Sequence, residues 1–149
     1  MSTVTPMRIA DLLQAKPDTT VVTVAPEAGV RDLLRLLAEH NVGALVVSSD
    51  GSRVDGIVSE RDVVRRLHAD GTVVDNTVGA IMTATVETCT PSTPLDEVML
   101  TMTERRMRHV PVVDEGRLVG IVSIGDVVKH KIGQLEFERD QLDSYVRQS

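Results

Sequence analysis

The chain has 149 residues, 42% of them hydrophobic and 26% charged, with 16 Lys and Arg against 22 Asp and Glu for a net charge of −6. That balance fits one globular unit or two small interlocked lobes and excludes a disordered or collagen-like chain, while the acidic surplus excludes bulk attraction to nucleic acid or anionic membranes. No apolar run approaches the roughly 20 residues that span a bilayer, and the N-terminal residues lack the charged-then-apolar order of an export signal, so a cytoplasmic protein is expected.

Residues 7–13 read as a lead-in turn or short helix. Residues 21–24 are a β-branched run closed by a turn at Pro26, a short strand. Val30, Leu33, Leu34 and Leu37 then recur at helical spacing. Residues 44–48 and 54–58 read as two strands, and the Ser49-Asp50-Gly51-Ser52 loop between them carries hairpin chemistry. A second helix starts at Ser59, and residues 71–77 read as a linker.

From there the chain repeats itself. The run Gly56-Ile57-Val58-Ser59-Glu60-Arg61-Asp62-Val63-Val64 returns as Gly120-Ile121-Val122-Ser123-Ile124-Gly125-Asp126-Val127-Val128. The stretch from Pro26 to Leu34 reads like that from Pro91 to Met99, and residues 78–82 resemble the first lead-in. A slip of one residue falls in the hairpin loop, where length is free to vary. Residues 86–89 are therefore expected as an opening strand, with Val98, Met99 and Met102 on a helix. Residues 110–113 and 118–122 follow as strands around the Asp114-Glu115-Gly116-Arg117 loop, and another helix starts at Ser123. The order is β-α-β-β-α twice, over residues 7–70 and 78–132. One copy is too small for a robust core, so the halves are expected to pack face to face.

The last helix runs on through an extension at residues 133–149. Val128, Ile132, Leu135, Leu142 and Val146 follow alternating steps of three and four, with Arg139 in the remaining seam position. This suits either a short helical pairing surface or a face folded back on its own lobe. Gly133 costs such a helix about 1 kcal/mol relative to Ala. Phe137 and Tyr145 are the only Phe and Tyr, and there is no Trp. Binding of single strands on aromatic platforms is thereby excluded, and a flat ligand in either copy must lie against aliphatic side chains.

Chemistry-bearing residues are few. Neither G-x-G-x-x-G nor G-x-x-x-x-G-K-[ST] occurs. Cys89 is alone, so no internal disulfide forms and a reducing compartment is expected. His40, His68, His109 and His130 are dispersed and none stands at metal-site spacing from Cys89. No nucleophile, base and acid stand together, so neither an enzyme nor a catalytic cofactor or metal is expected.

The Ser-x-x-Asp at each strand-to-helix junction, Ser59/Asp62 and Ser123/Asp126, has two readings. It is a capping box, whose Ser is worth about 1 kcal/mol. Alternatively, the helix N-terminus draws an anion while the carboxylate one turn in accepts two hydrogen bonds from a vicinal diol such as ribose. Arg105-Arg106-Met107-Arg108-His109 is likewise either a solvated charge run or a set of forks for phosphate. Pro111 lacks an N–H and suits a strand edge or start, leaving neighbouring main-chain groups to read a heterocycle. The first copy has Asn41-Val42-Gly43-Ala44-Leu45-Val46 here, roomier and without a basic pair, while Arg61 stands where the second copy has Gly125. The two sites are expected to be non-equivalent.

The tandem GIVSERD and GIVSIGD, with RHVPVVD ahead of the second, resemble a pair of cystathionine-β-synthase (CBS) domains over residues 7–132. The resemblance implies an α/β fold in which two β-α-β-β-α repeats form a pseudo-two-fold module with two clefts, and in which modules pair into a homodimeric disc. It implies clefts for adenosine ligands: AMP, ADP, ATP, S-adenosylmethionine or an NAD-type dinucleotide. Carried over, Asp62 and Asp126 would hold ribose hydroxyls, with Ser59 and Ser123 beside ribose or phosphate. Arg108 and His109 would meet phosphate, and Val110 and Pro111 would line the adenine. Gly43, Ala44 and Leu45 would take the corresponding places in the first copy, with Arg61 and Gly125 at the helix starts. Each cleft in this family borrows the opening strand of the other repeat, so Thr19, Thr20 and Val21 would complete the Asp126 site, and Thr83, Ala84 and Val86 the Asp62 site. The implied function is a nucleotide sensor read by a downstream protein. A ligand-free dimerisation scaffold is the rival, and a redox enzyme using a bound dinucleotide a more distant one.

Overall fold

The computed structural model describes residues 7–16 and 21–148. The elements are α1 (Ile9–Ala15), β1 (Thr23–Val24), α2 (Val30–His40), β2 (Ala44–Val47), β3 (Gly56–Ser59), α3 (Glu60–Ala69), a 3-10 turn (Val73–Asp75), α4 (Val78–Ile81), α5 (Leu95–Arg105), β4 (His109–Asp114), β5 (Arg117–Ser123) and α6 (Ile124–Gln148). The duplicated order read from the sequence is realised apart from the second repeat's opening strand, and the long terminal helix follows it.

In the first repeat, β2 is the middle strand, parallel to β1 and antiparallel to β3. All four of its residues are buried, as a strand covered on both faces requires. In the second repeat, β4 pairs antiparallel with β5 from His109↔Ser123 to Asp114↔Arg117. The loop between them turns through Glu115 and Gly116, both at positive φ, the conformation that a tight hairpin with right-handed strand twist demands.

The opening strands are shorter than expected. Only Thr23 and Val24 pair in the first copy. In the second, the expected strand at 86–89 reduces to a bridge at Cys89, whose N–H donates to the Pro111 carbonyl (3.0 Å) and whose carbonyl accepts from Val113 (2.8 Å). The reason is that Val86 and Glu87 face a cavity instead of a neighbouring strand. Cys89 is buried, and that burial, with Glu97 nearby, pushes its thiol up to about 12.

Helices α2 and α5 end alike. Asn41 and Arg106 take left-handed conformations at φ 51 and 53, letting Val42 and Met107 donate back to Leu37 (3.1 Å) and Met102 (2.9 Å). Asn, with a short polar side chain that bonds locally, tolerates that geometry well; Arg is strained there.

Two cores result, and the lead-in helices cross between them. Val30, Leu33, Leu37, Leu45 and Val58 pack with Val78 and Ile81 of α4. Leu95, Val98, Met102, Val110 and Val122 pack with Ile9 and Leu12 of α1. Hydrogen bonds fix the exchange: Ile9 donates to the Thr93 carbonyl (3.0 Å) and Val78 to that of Ala28 (2.8 Å). Each fully buried Ile, Leu or Val is worth about 1.5–3 kcal/mol, so each repeat depends on the other's leading segment.

Candidate functional site

Both Ser-x-x-Asp junctions form capping boxes. The Ser59 N–H donates to Asp62 Oδ2 (2.8 Å), the Ser59 hydroxyl donates to the same oxygen (3.1 Å), and Asp62 N–H donates back to Ser59 Oγ (3.3 Å). At the second junction, Ser123 N–H reaches Asp126 Oδ2 at 3.2 Å and Asp126 N–H reaches Ser123 Oγ at 3.1 Å. Each helix start is also tied to the residue just ahead of its hairpin: Glu60 donates to the Gly43 carbonyl (3.0 Å) and Ile124 to that of Arg108 (2.8 Å). Capping leaves one carboxylate oxygen, Oδ1, of Asp62 without a protein partner among the described residues. The cap and an outward-facing acceptor coexist in one side chain.

Asp62 opens on a cavity of about 430 Å³, within the range of small-ligand sites. Of the residues singled out from sequence, Gly43, Ala44, Ser59, Arg61, Asp62, Thr83, Val86, Arg108 and His109 all line it. The basic junction after α5 therefore faces the carboxylate of the first repeat. Sequence reasoning missed Arg65, one helical turn beyond Arg61, and also Glu60, Thr85 and Glu87. Arg105 and Arg106, noticed as part of a charge run, belong to the lining as well. Five arginines thus meet three carboxylates around one space, and one of these pairs is closed, Arg105 to Glu87 at 3.3 Å. A cationic rim over a carboxylate floor is chemically suited to a molecule with a diol at one end and negative charge at the other.

Other singled-out residues lie elsewhere. Leu45 and Val110 are each 2% exposed and belong to the two cores. Pro111 is buried within β4, and its carbonyl is taken by Cys89. It is not at a free edge, because the Cys89 bridge covers the side of β4 away from β5. Ala84 is exposed beside the cavity but does not line it. Val21 is half-buried ahead of β1, and Thr19 and Thr20 lie outside the described residues. Ser123, Gly125 and Asp126 form the start of α6, where Lys16 Nζ stands 3.0 Å from Asp126 Oδ2. Burial raises the Asp126 carboxyl, but hydrogen bonds from Lys16 and Ser123 and the Lys16 charge outweigh it and hold the group below its ordinary value.

His109 stands between the two junctions. It pairs with Ser123 across β4 and β5, and its Cε1 lies 3.8 Å from where a β-carbon on Gly43 would sit. Burial lowers its pKa, the Asp126 charge raises it, Arg108 lowers it, Glu60 raises it and Lys16 lowers it, with a net fall.

A family model described as CBS domain matches residues 9–69 and 78–133. The mitochondrial CBS domain-containing protein CBSX3 of Arabidopsis thaliana is 35% identical over 147 residues, covering 93% of this chain and 71% of that one. Among solved structures, the CBS-domain containing protein ATU1752 from Agrobacterium tumefaciens superposes with a TM-score of 0.79 at 41% identity, over 84% of this chain and 99% of that one. The CBS domain protein PAE2072 from Pyrobaculum aerophilum, solved in complex with AMP, does so with 0.72 at 30% identity, over 80% and 89%.

Proposed function

The chain belongs to the CBS domain family and carries two such domains as a pair, and from that premise we propose that it is a regulatory module that binds an adenine nucleotide, AMP in the first instance, in the cleft floored by Asp62. The observation that carries the reading is the placement of Asp62 and the arginines after α5 around one cavity. Asp62 accepts the ribose diol through its uncapped oxygen. Arg105, Arg106 and Arg108 take the phosphate, and the adenine lies against aliphatic groups such as Ile57 and Val86. The AMP complex of the related PAE2072 supports the ligand class. Binding draws the second repeat's arginines towards the first repeat's helix start, and that change of angle is what a partner protein reads. Such a signal requires different affinities for two arrangements of the module. The protein acts by binding and not by catalysis, as a homodimer, in the cytoplasm.

Calorimetry with AMP tests the reading. A hydrogen bond to a charged group is worth about 1.5–3 kcal/mol, so Asp62→Ala is expected to weaken AMP about tenfold to a hundredfold. Ser59 keeps its own cap to the Asp62 N–H in that variant, and a melting curve checks the fold. Unchanged affinity would remove Asp62 from the site.

A further inference from the structure

The second cleft already contains a cation. Gly56 and Gly120 are repeat counterparts, and each is approached by the end of a lead-in segment. A β-carbon on Gly56 would meet Met82 Sδ at 2.8 Å, and one on Gly120 would meet Leu13 Cδ2 at 2.9 Å. Leu13 and Met82 are therefore structural equivalents, and three residues on from them stand Lys16 and Thr85. Thr85 lines the Asp62 cavity. Lys16, in the equivalent place, donates to Asp126 Oδ2 and to the Ile121 carbonyl, both at 3.0 Å. In the first repeat the corresponding Ile57 carbonyl is instead satisfied by the Thr83 N–H at 2.9 Å. Lys16 and Asp126 are only 25% and 34% exposed, so the pair is shielded more than a surface ion pair.

We infer that Lys16 is a built-in counter-ion that fills the Asp126 cleft, so that each chain takes one nucleotide, in the Asp62 cleft. The inference rests on the nucleotide reading and adds to it which cleft is open and which residue decides. A ribose diol approaching Asp126 must first displace an ammonium group already bonded to it. Thr85 makes no such bond to Asp62, and the first cleft stays open.

Titration calorimetry of the full chain with AMP reads the stoichiometry. The unaltered protein is expected to bind one AMP per chain, lost on Asp62→Ala and kept on Asp126→Ala. Lys16→Thr, which installs the first cleft's residue, is expected to bind two, and Lys16→Met, which keeps length and removes charge, likewise. Two AMP per unaltered chain, or one in both folded Lys16 variants, would overturn the counter-ion role alone. Loss of the single site on Asp126→Ala and not on Asp62→Ala would overturn both the counter-ion role and the placing of the nucleotide in the Asp62 cleft. Absence of AMP binding from every form would overturn the nucleotide reading, and this inference with it.

Discussion

His109 feels the charges of both helix starts: burial lowers its pKa, Asp126 and Glu60 raise it, and Arg108 and Lys16 lower it. With its pKa held below the ordinary 6.5 by burial, the ring is neutral at pH 7 in the free protein. A phosphate among the neighbouring arginines brings negative charge beside it and stabilises the imidazolium, raising that pKa. The complex then binds more protons than the free protein between the two values, so affinity rises as pH falls through that window. The AMP phosphate itself takes up a proton at about pH 6, so the share of His109 is read as a difference: the ratio of unaltered to His109→Gln affinity for AMP is expected to rise as pH falls from about 8 to about 6. Proton uptake, measured for both proteins by calorimetry in buffers of different ionisation heat, checks it; the same pH dependence in both would place the phosphate away from His109. At this scale the sequence made Asp62 and Ser59 legible, because a capping box is a local pattern. Lys16 was not legible. Its partner Asp126 is remote in sequence, and its equivalence to Thr85 appears only when both lead-ins are seen against their glycines.

The elements that were easiest to read are those whose periodicity is self-contained: α2, α5 and the β4–β5 hairpin. The opening strands were hard to read because β-branched composition alone does not supply a pairing partner. Residues 86–89 have strand-like composition yet give only one bridge, because the cavity takes Val86 and Glu87. The exchange of α1 and α4 was also hidden, since both lead-ins carry the same apolar spacing, which does not say which core each enters. Their close approach makes a graded prediction. At Gly56 an added β-carbon meets the Thr83 carbonyl at 2.7 Å as well as Met82 Sδ, whereas at Gly120 it meets chiefly the tip of the Leu13 side chain. The Thr83 carbonyl accepts from the Ile57 N–H (3.0 Å) while the Thr83 N–H donates to the Ile57 carbonyl (2.9 Å), so it cannot retreat; a Leu methyl can rotate. Gly56→Ala is therefore expected to cost about 1–3 kcal/mol, and Gly120→Ala clearly less, in paired urea unfolding curves. Equal costs would mean that the Thr83 segment yields as easily as a side chain.

For the molecule as a whole, α6 poses the question of what lies outside it. Val127 is buried and His130, Lys131, Gln134 and Glu138 are half-buried on the same side, where Lys131 pairs with Asp96 at 2.9 Å. A stripe flanking that side, Val128, Ile132, Leu135 and Leu142, is 41–63% exposed. A helix that turns polar groups inward and an apolar stripe outward has its amphipathicity inverted for a monomer. Val64, the repeat counterpart of Val128, is 65% exposed on α3. The steps of three and four along the stripe suit pairing with another helix, and a second copy of this chain is the occupant tested below. A parallel pair would press Arg139 against its own copy. Leu135→Glu is expected to convert a dimer to a monomer in analytical ultracentrifugation without lowering the melting temperature of the repeats, because Leu135 touches neither core. Arg139→Leu should tighten the dimer while loosening its orientation, since the one charge that disfavours the parallel pair is gone. A dimer that survives Leu135→Glu would move the contact off α6.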